Sequence, residues 1–463
     1  MKCRRSEHPC LKHKLDSCHA PAGVEESHCT AIESKKGDEV MTWKIPPLME
    51  DDISAIGAWY LAESVSVHPL DSRRDAHHLW GLALWDLAIA DATLFGCVAL
   101  LTLQKKRTIA TAYNRVVYLD YKQKVYQGLS KALKTNGSKI HGGTALTMTL
   151  LSFVEVLEGN FGNARSHIHA VAAMDFVRHL NEVQWRLIIW NDLRYAMKLV
   201  ILPALCYYIP TFLAVAAAEI ESDILAEARR LAFGNLKHLR KLPEVDEHAW
   251  FSLLVSMHTI DILVSRPASA SHHTRLLCAY QAEYRAHTIA AELSAKPTPD
   301  PITTLVIHAC QLHILAVTSS FAPSTVECRE ILLSRARSVL VNFDCERDVN
   351  RSRTQLVPTL WSLSTFAAHI MDGGFNDRQF FIQNLAATVE SKRLHSRASF
   401  VQILRSWPWV DSWHQSRVSA VWEEVLVGRG RRWRCIASND HPNNCIEKRS
   451  ERYYAGILLF YES

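Results

Sequence analysis

Alternation of apolar and polar residues at a period of two is scarce in this 463-residue chain, so a sheet-based fold has little support. Recognisable reaction centres are missing as well. There is no G-x-x-x-x-G-K-[ST] phosphate loop, no G-x-G-x-x-G after a strand, no G-x-S-x-G elbow and no H-E-x-x-H helix. An enzyme therefore has no positive support, although a helical enzyme without a short motif stays open as an alternative. A charge bias is lacking too: 52 basic and 47 acidic residues leave a formal charge of +5, too balanced for the whole surface to grip nucleic acid or membrane. The N-terminus carries no apolar h-region, so no secretory signal is expected. The twelve cysteines are scattered irregularly, which fits free thiols in a reducing, intracellular compartment.

What the chain does contain is apolar residues at helical spacing. Hydrophobic residues make up 48% and charged residues 21%, the balance of a folded chain able to bury a large core. Residues 118–133 align Tyr118, Tyr121, Val125, Leu129 and Leu133 on one face before Asn136-Gly137 stops the helix. The run TALTMTLLSFVEVLEG aligns Leu146, Leu150, Phe153, Val154 and Leu157, and Gly159-Asn160 ends it. A third helix begins near Asn163 with Ala164, Ile168, Val171 and Ala172, and residues 221–242 repeat the pattern with Leu225, Ala228, Ala232 and Leu239 up to Pro243. Short polar turns between such helices make them antiparallel hairpins. The expected fold is all-α: an irregular multi-helix bundle of antiparallel helical hairpins in one or two lobes. SRPASASHHT at 265–274 and AKPTPDP at 295–301 read as loops. Residues 1–45 read as a cysteine-bearing segment with a polar linker, 46–426 as the helical body and 427–463 as a poorly specified basic tail.

One segment competes with the water-soluble reading. LVILPALCYYIPTFLAVAAA, residues 199–218, is long and apolar enough for a transmembrane helix, but Pro203 and Pro210 would break it within a bilayer. The preferred alternative is a buried helix, a proline turn and a second buried helix, so membrane association is not expected. Other candidates reduce to simple roles. His167 and His169 stand two apart and point to different sides of a helix, which makes them poor joint ligands. His272-His273 lies in a loop composition without neighbouring partners in sequence. Glu50-Asp51-Asp52 suits the acidic first turn of a helix. GRGRRWR reads as a solvated basic tail, with phosphate binding or an import signal as the alternative.

Three stretches taken in order carry a family resemblance: ATAYNRVVYLDYKQKVYQGLSKAL, FVEVLEGNFGNARSHIHAVAAM and WRLIIWNDLRYAMKLVILP. They resemble the regulatory region of fungal binuclear zinc-cluster transcription factors. The residues that carry it are Glu155, Gly159, Asn160, Ala164, His167, Trp190, Asp192, Leu193 and Pro203. LVPTLWSLSTFAAHIMDGGFNDRQFFIQNL and SAVWEEVL resemble the closing part of the same region through Trp361, Asp377, Arg378, Val421, Trp422 and Glu423. The resemblance spans roughly residues 90–426. It implies a nuclear transcription regulator that binds transcription-machinery proteins, paralogous regulators, a second copy of itself or a small effector.

The N-terminal cysteines bear on DNA binding. The family's cluster follows C-x2-C-x6-C-x(5–12)-C-x2-C-x(6–8)-C, and its six thiolates share two zinc ions. Cys3 aligned as the second ligand puts Cys10 at x6, Cys18 at x7 and Cys29 in the sixth position, with Arg4-Arg5 where the family is basic. Pro21 stands where the fifth ligand is required, the first would lie just before Met1, and neither His19 nor His28 has the spacing to substitute. The expectation is a degenerate cluster, with no cofactor unless the zinc site is completed, and DNA contact weak or lost.

Overall fold

The computed structural model of the protein describes residues 84–105, 112–136, 142–173, 182–205, 219–240, 246–318, 326–341, 356–370 and 375–437. All belong to the compact unit Pro47–Ser463. Cys3, Cys10, Cys18, Cys29 and Glu50-Asp51-Asp52 lie outside the described residues. Among those described there is no strand, and the all-α expectation holds.

A helical stretch at 84–90 precedes α1 (Ala92–Lys105), α2 (Ala112–Asn136), α3 (Gly142–Leu157), α4 (Phe161–Ala173) and α5 (Glu182–Leu199). Then follow α6 (Ser222–Leu239), α7 (Glu247–Ser265), a 3-10 turn (Pro267–Ser269), α8 (His272–Ser294), α9 (Pro301–Thr318) and α10 (Val326–Val341). The last four are α11 (Leu356–His369), α12 (Phe375–Ser391), α13 (Arg397–Arg405) and α14 (Asp411–Ala437). Local chemistry sets several starts. Asp91, Asp246, Ser271, Asp300 and Ser396 each accept a backbone N–H two or three residues on, satisfying amides that a helix start leaves unpaired. Pro301 follows Asp300 as the first helical residue, where its missing N–H is harmless.

Two hydrophobic cores share one helix. The first gathers Leu94, Val98, Val125, Leu146, Leu151 and Val154 from α1, α2 and α3, with Leu187 and Ile188 from α5. The second runs from Trp185, Ile189, Leu193 and Met197 on the opposite stripe of α5 through Trp250, Ile307, Trp361, Phe381 and Trp422. Helix α5 therefore presents one apolar face to each lobe. At the centre of the second lobe, α9 packs against α7, α8, α10 and α11. All of its residues except Pro301 and Thr304 are buried.

Several expectations need correction. Helix α9, with a mean hydropathy of 1.4, is the described helix long and apolar enough to cross a membrane, and 89% of that window is buried inside the protein. It shows no amphipathic period because neighbours surround it. Leu199 ends α5 rather than opening a helix, residues 200–205 are non-helical, and 206–218 lie outside the described residues. Helix α6 stops at Leu239, four residues short of Pro243. The loop expected over 265–274 is shorter, 266–271 with a 3-10 turn at Pro267–Ser269, because α7 includes Ser265 and α8 begins at His272, capped by Ser271. Helix α14 crosses the 426/427 boundary without a break and ends at Ala437.

Candidate functional site

The residues picked out by motif fall at three helix junctions. At the first, α3 ends and the chain reverses into α4. Gly159 takes φ +82°, a left-handed conformation that glycine reaches without a Cβ penalty, and no atom would obstruct a Cβ there. The Gly159 N–H donates to Val156 O (3.1 Å) and the Asn160 N–H to Glu155 O (2.8 Å), pairing the last carbonyls of α3. The Glu155 side chain, wholly buried, accepts from Lys122 Nζ (2.8 Å), Tyr126 Oη (2.8 Å) and Asn160 Nδ2 (2.9 Å). Glu158 accepts from the same lysine (2.6 Å), the same amide (2.9 Å) and the Tyr118 hydroxyl. His167 on α4 meets Tyr126 Oη at 3.3 Å, while Ala164 is buried with Val156, Ile168 and Tyr195.

The electrostatics follow from this geometry. Burial works against a charge on Glu155, but Lys122, Tyr126 and Asn160 hold its carboxyl below the usual range. Burial and the Glu155 charge push the Tyr126 phenol up, and burial lowers His167, so both stay neutral at neutral pH. With its acceptor positions occupied, Glu155 acts as a pin binding α2, α3 and α4. Beside it lies a shallow groove on α2 formed by Gln123, Tyr126, Gln127, Ser130, Lys131, Lys134 and Thr135. Tyr126 belongs to both, so a molecule in the groove would touch the pin directly.

At the second junction, α5 ends with Val200 at φ +54°, and the Ile201 N–H returns to Ala196 O (3.1 Å). Pro203 is buried, and Asp192 accepts the amides of Ala204 (3.0 Å) and Leu205 (2.8 Å). Burial pushes the Asp192 carboxyl up to about 7, against the pull of those two amides. Leu193 faces the second core, and Trp190 packs on it half-buried, with the Arg194 guanidinium 5.9 Å from its ring centre.

At the third junction, the Trp361 indole donates to Pro408 O (3.2 Å), and its ring lies 5.2 Å from that of Trp407. Arg378 reaches Glu424 through Nε and Nη2 (2.8–3.1 Å) and Ala367 O through Nη1 (2.5 Å). Trp422 packs 4.9 Å from Phe400, and Val421 is buried. Asp377 is exposed and paired with Arg337, and Glu423 is exposed. Glu424, one residue beyond the motif, is the carboxylate that Arg378 uses.

Sequence reasoning missed the polar groups inside the second lobe. Asp261 accepts from His313 Nε2 (2.8 Å) and from the Trp409 amide (3.0 Å), and His414 stacks between Trp409 and His313. His258 meets Asn235 at 2.6 Å, and Asn235 reaches Ser406 O. Together these fix the Ser406–Val410 turn onto α6, α7 and α9. Arg194 is paired with Glu283 at 2.8 Å, both 3% exposed. The available signal was polar side chains inside otherwise apolar runs, such as His313 in α9. His273, which has no carboxylate or thiol close by in sequence, lies at the start of α8, 2.7 Å from Arg186. His169 is exposed near Arg165 and apart from the Tyr126–His167 contact. Among the described residues no group of three or more His, Cys, Asp or Glu is placed to hold a metal ion, and Cys97, Cys278, Cys310 and Cys328 are buried free thiols. Compared with protein-family models, curated proteins and solved structures, the chain matches none.

Proposed function

We propose that this chain is the helical regulatory body of a nuclear transcription regulator of the fungal zinc-cluster kind, working by binding proteins or a small effector rather than by catalysis. The observation that carries the reading is the position of its motif residues. Glu155, Gly159, Asn160 and His167, then Asp192 and Pro203, then Trp361, Arg378 and Trp422, stand in the order of the resemblance and each set holds one helix junction. Such pins make a platform with an accessible, largely apolar groove at Tyr126 edged by polar side chains, suited to being contacted by a partner. Direct DNA recognition is weak or lost in this reading, because Pro21 stands where a zinc thiolate is needed. The chain would then reach promoters through a second regulator bound to DNA.

Two assays test the reading. Tethered to a heterologous DNA-binding domain, the full chain is expected to change reporter expression and to accumulate in the nucleus. No change in the reporter together with exclusion from the nucleus would defeat the regulator reading. In a mobility-shift assay with zinc-loaded full-length protein, tight, sequence-selective and salt-resistant binding would contradict the loss of DNA contact.

A further inference from the structure

Helices α5 and α8 lie side by side and run in the same direction, Arg186 beside His273 at one end and Arg194 beside Glu283 further along. The Arg194–Glu283 pair uses only one nitrogen of the guanidinium: Nη2 donates to both carboxylate oxygens, at 3.0 and 2.8 Å. Arg194 Nε and Nη1 donate to no oxygen or nitrogen among the described residues, the Cys328 thiol being the other group that acts on the guanidinium, and the Tyr280 hydroxyl and His287 Nε2 are likewise without a hydrogen-bond partner there. The Arg194, Tyr280 and His287 side chains are at most 3% exposed. They are neighbours: Tyr280 and His287 flank Glu283 by about one turn on α8, and the charge of Arg194 acts on both.

The protonation of His287 follows from its surroundings. Gln311 Oε1 faces His308 Nδ1 (3.1 Å), which turns Gln311 Nε2 towards His287 Nδ1 (2.8 Å). Nδ1 is thus the acceptor, and the proton of neutral His287 sits on Nε2. The groups in the seam without an oxygen or nitrogen partner are therefore all donors: two guanidinium nitrogens, an imidazole N–H and a hydroxyl. The fixed charge leans the same way. Arg186 acts on Tyr280 and Arg335 acts on His287, while Glu283, already held by Arg194, is the one carboxylate acting on Tyr280. Arg335 is anchored by donating to Met197 O (2.8 Å) and Lys198 O (2.9 Å) at the end of α5. Donors without acceptors in a positive setting suit a guest rich in lone pairs and carrying negative charge.

We propose that the α5–α8 seam is a binding site for a small oxyanion, a carboxylate or phosphate group accepting from Arg194, Tyr280 and His287. The site is separate from the groove at Tyr126 and needs no transcriptional partner, so it goes beyond the regulatory reading. Its occupant would bridge the helix shared by both cores to the interior of the second lobe, giving a small molecule a hold on how firmly the two are joined.

The test is a titration of the full-length protein with acetate, inorganic phosphate and chloride at matched ionic strength, followed by thermal unfolding and calorimetry. Acetate or phosphate, and not chloride, is expected to raise the Tm saturably, and the stronger of the two identifies the source of the anion. Tyr280→Phe removes only the oxygen and keeps the ring, so the variant folds and binds about tenfold more weakly. Arg194→Gln abolishes the shift if it folds. Equal shifts with all three salts, no shift with any, or a Tyr280→Phe titration identical to the parent would overturn the assignment.

Discussion

The two lobes handle polar side chains in opposite ways. In the first, the one buried carboxylate of the cluster, Glu155, is held from a rim: Lys122 and Glu158 keep 18% and 13% of their side chains in contact with solvent, and the apolar faces of α1, α2 and α3 close the core behind them. In the second, Asp261, His313, His414, Asn235, Arg194 and Glu283 are inside the core itself. A rim pin loses little when water replaces a partner, whereas an interior pin has no water to fall back on. Similar hydrogen bonds therefore carry different weight in the two lobes, and the second should be the more fragile to chemical change.

Acid is expected to expose that difference most strongly. Burial lowers His258 and His308 to about 4 and His287 and His414 to about 3. Between their ordinary value near 6.5 and those values the unfolded chain binds protons that the folded chain refuses. Stability is thus fully present above about pH 6.5 and is lost as the pH falls, by roughly 1.4 kcal/mol per pH unit for each histidine. Trp250, Trp361, Trp407, Trp413 and Trp422 all lie in the second core, against Trp85 on the first, so fluorescence of a Trp85→Phe variant reports mainly the second lobe. It should lose its native signal at a higher pH than the first lobe does; simultaneous loss would break the contrast.

Glu283→Ala comes next. It leaves the Arg194 guanidinium buried without its partner and should lower unfolding stability by about 3–5 kcal/mol in denaturant titrations. Glu155→Gln, at a buried carboxylate whose partner Lys122 still reaches solvent, sharpens the comparison. It keeps the shape but weakens the contacts to Lys122 and Tyr126, for an expected loss of about 1–2 kcal/mol. A loss as large as that of Glu283→Ala would show the rim to be as desolvated as the interior. The smallest effect should come from Gly159→Ala: no atom obstructs the Cβ, so only the left-handed backbone opposes it, at about 1 kcal/mol by the same titration.

The contrast also explains what could be read in advance. Helix α2 is half exposed, so Tyr121, Val125 and Leu129 stand out against lysines and the helix is legible from its period. Helix α9 is covered on every side, its apolar residues follow no stripe, and a test for membrane spans cannot tell it from a core helix. The same holds for sites. Gly159-Asn160 announces a turn, and the turn brings Asn160 to Glu155 across only five positions. Arg194 and Glu283 are 89 residues apart, and Asp261 and Trp409 are 148 apart. Neither pair has any local spacing to betray it.

The sequence by itself determined the amphipathic helices such as α2 and α3 and the turn at Gly159, because these depend on residues within a few positions of one another. Only the tertiary structure decided that α5 serves two cores, that Glu424 rather than Glu423 meets Arg378, and that Arg194, Tyr280 and His287 share one seam. Those outcomes depend on which helix faces pack together. Packing is set by the sum of many weak apolar contacts across the whole chain, which no short stretch records.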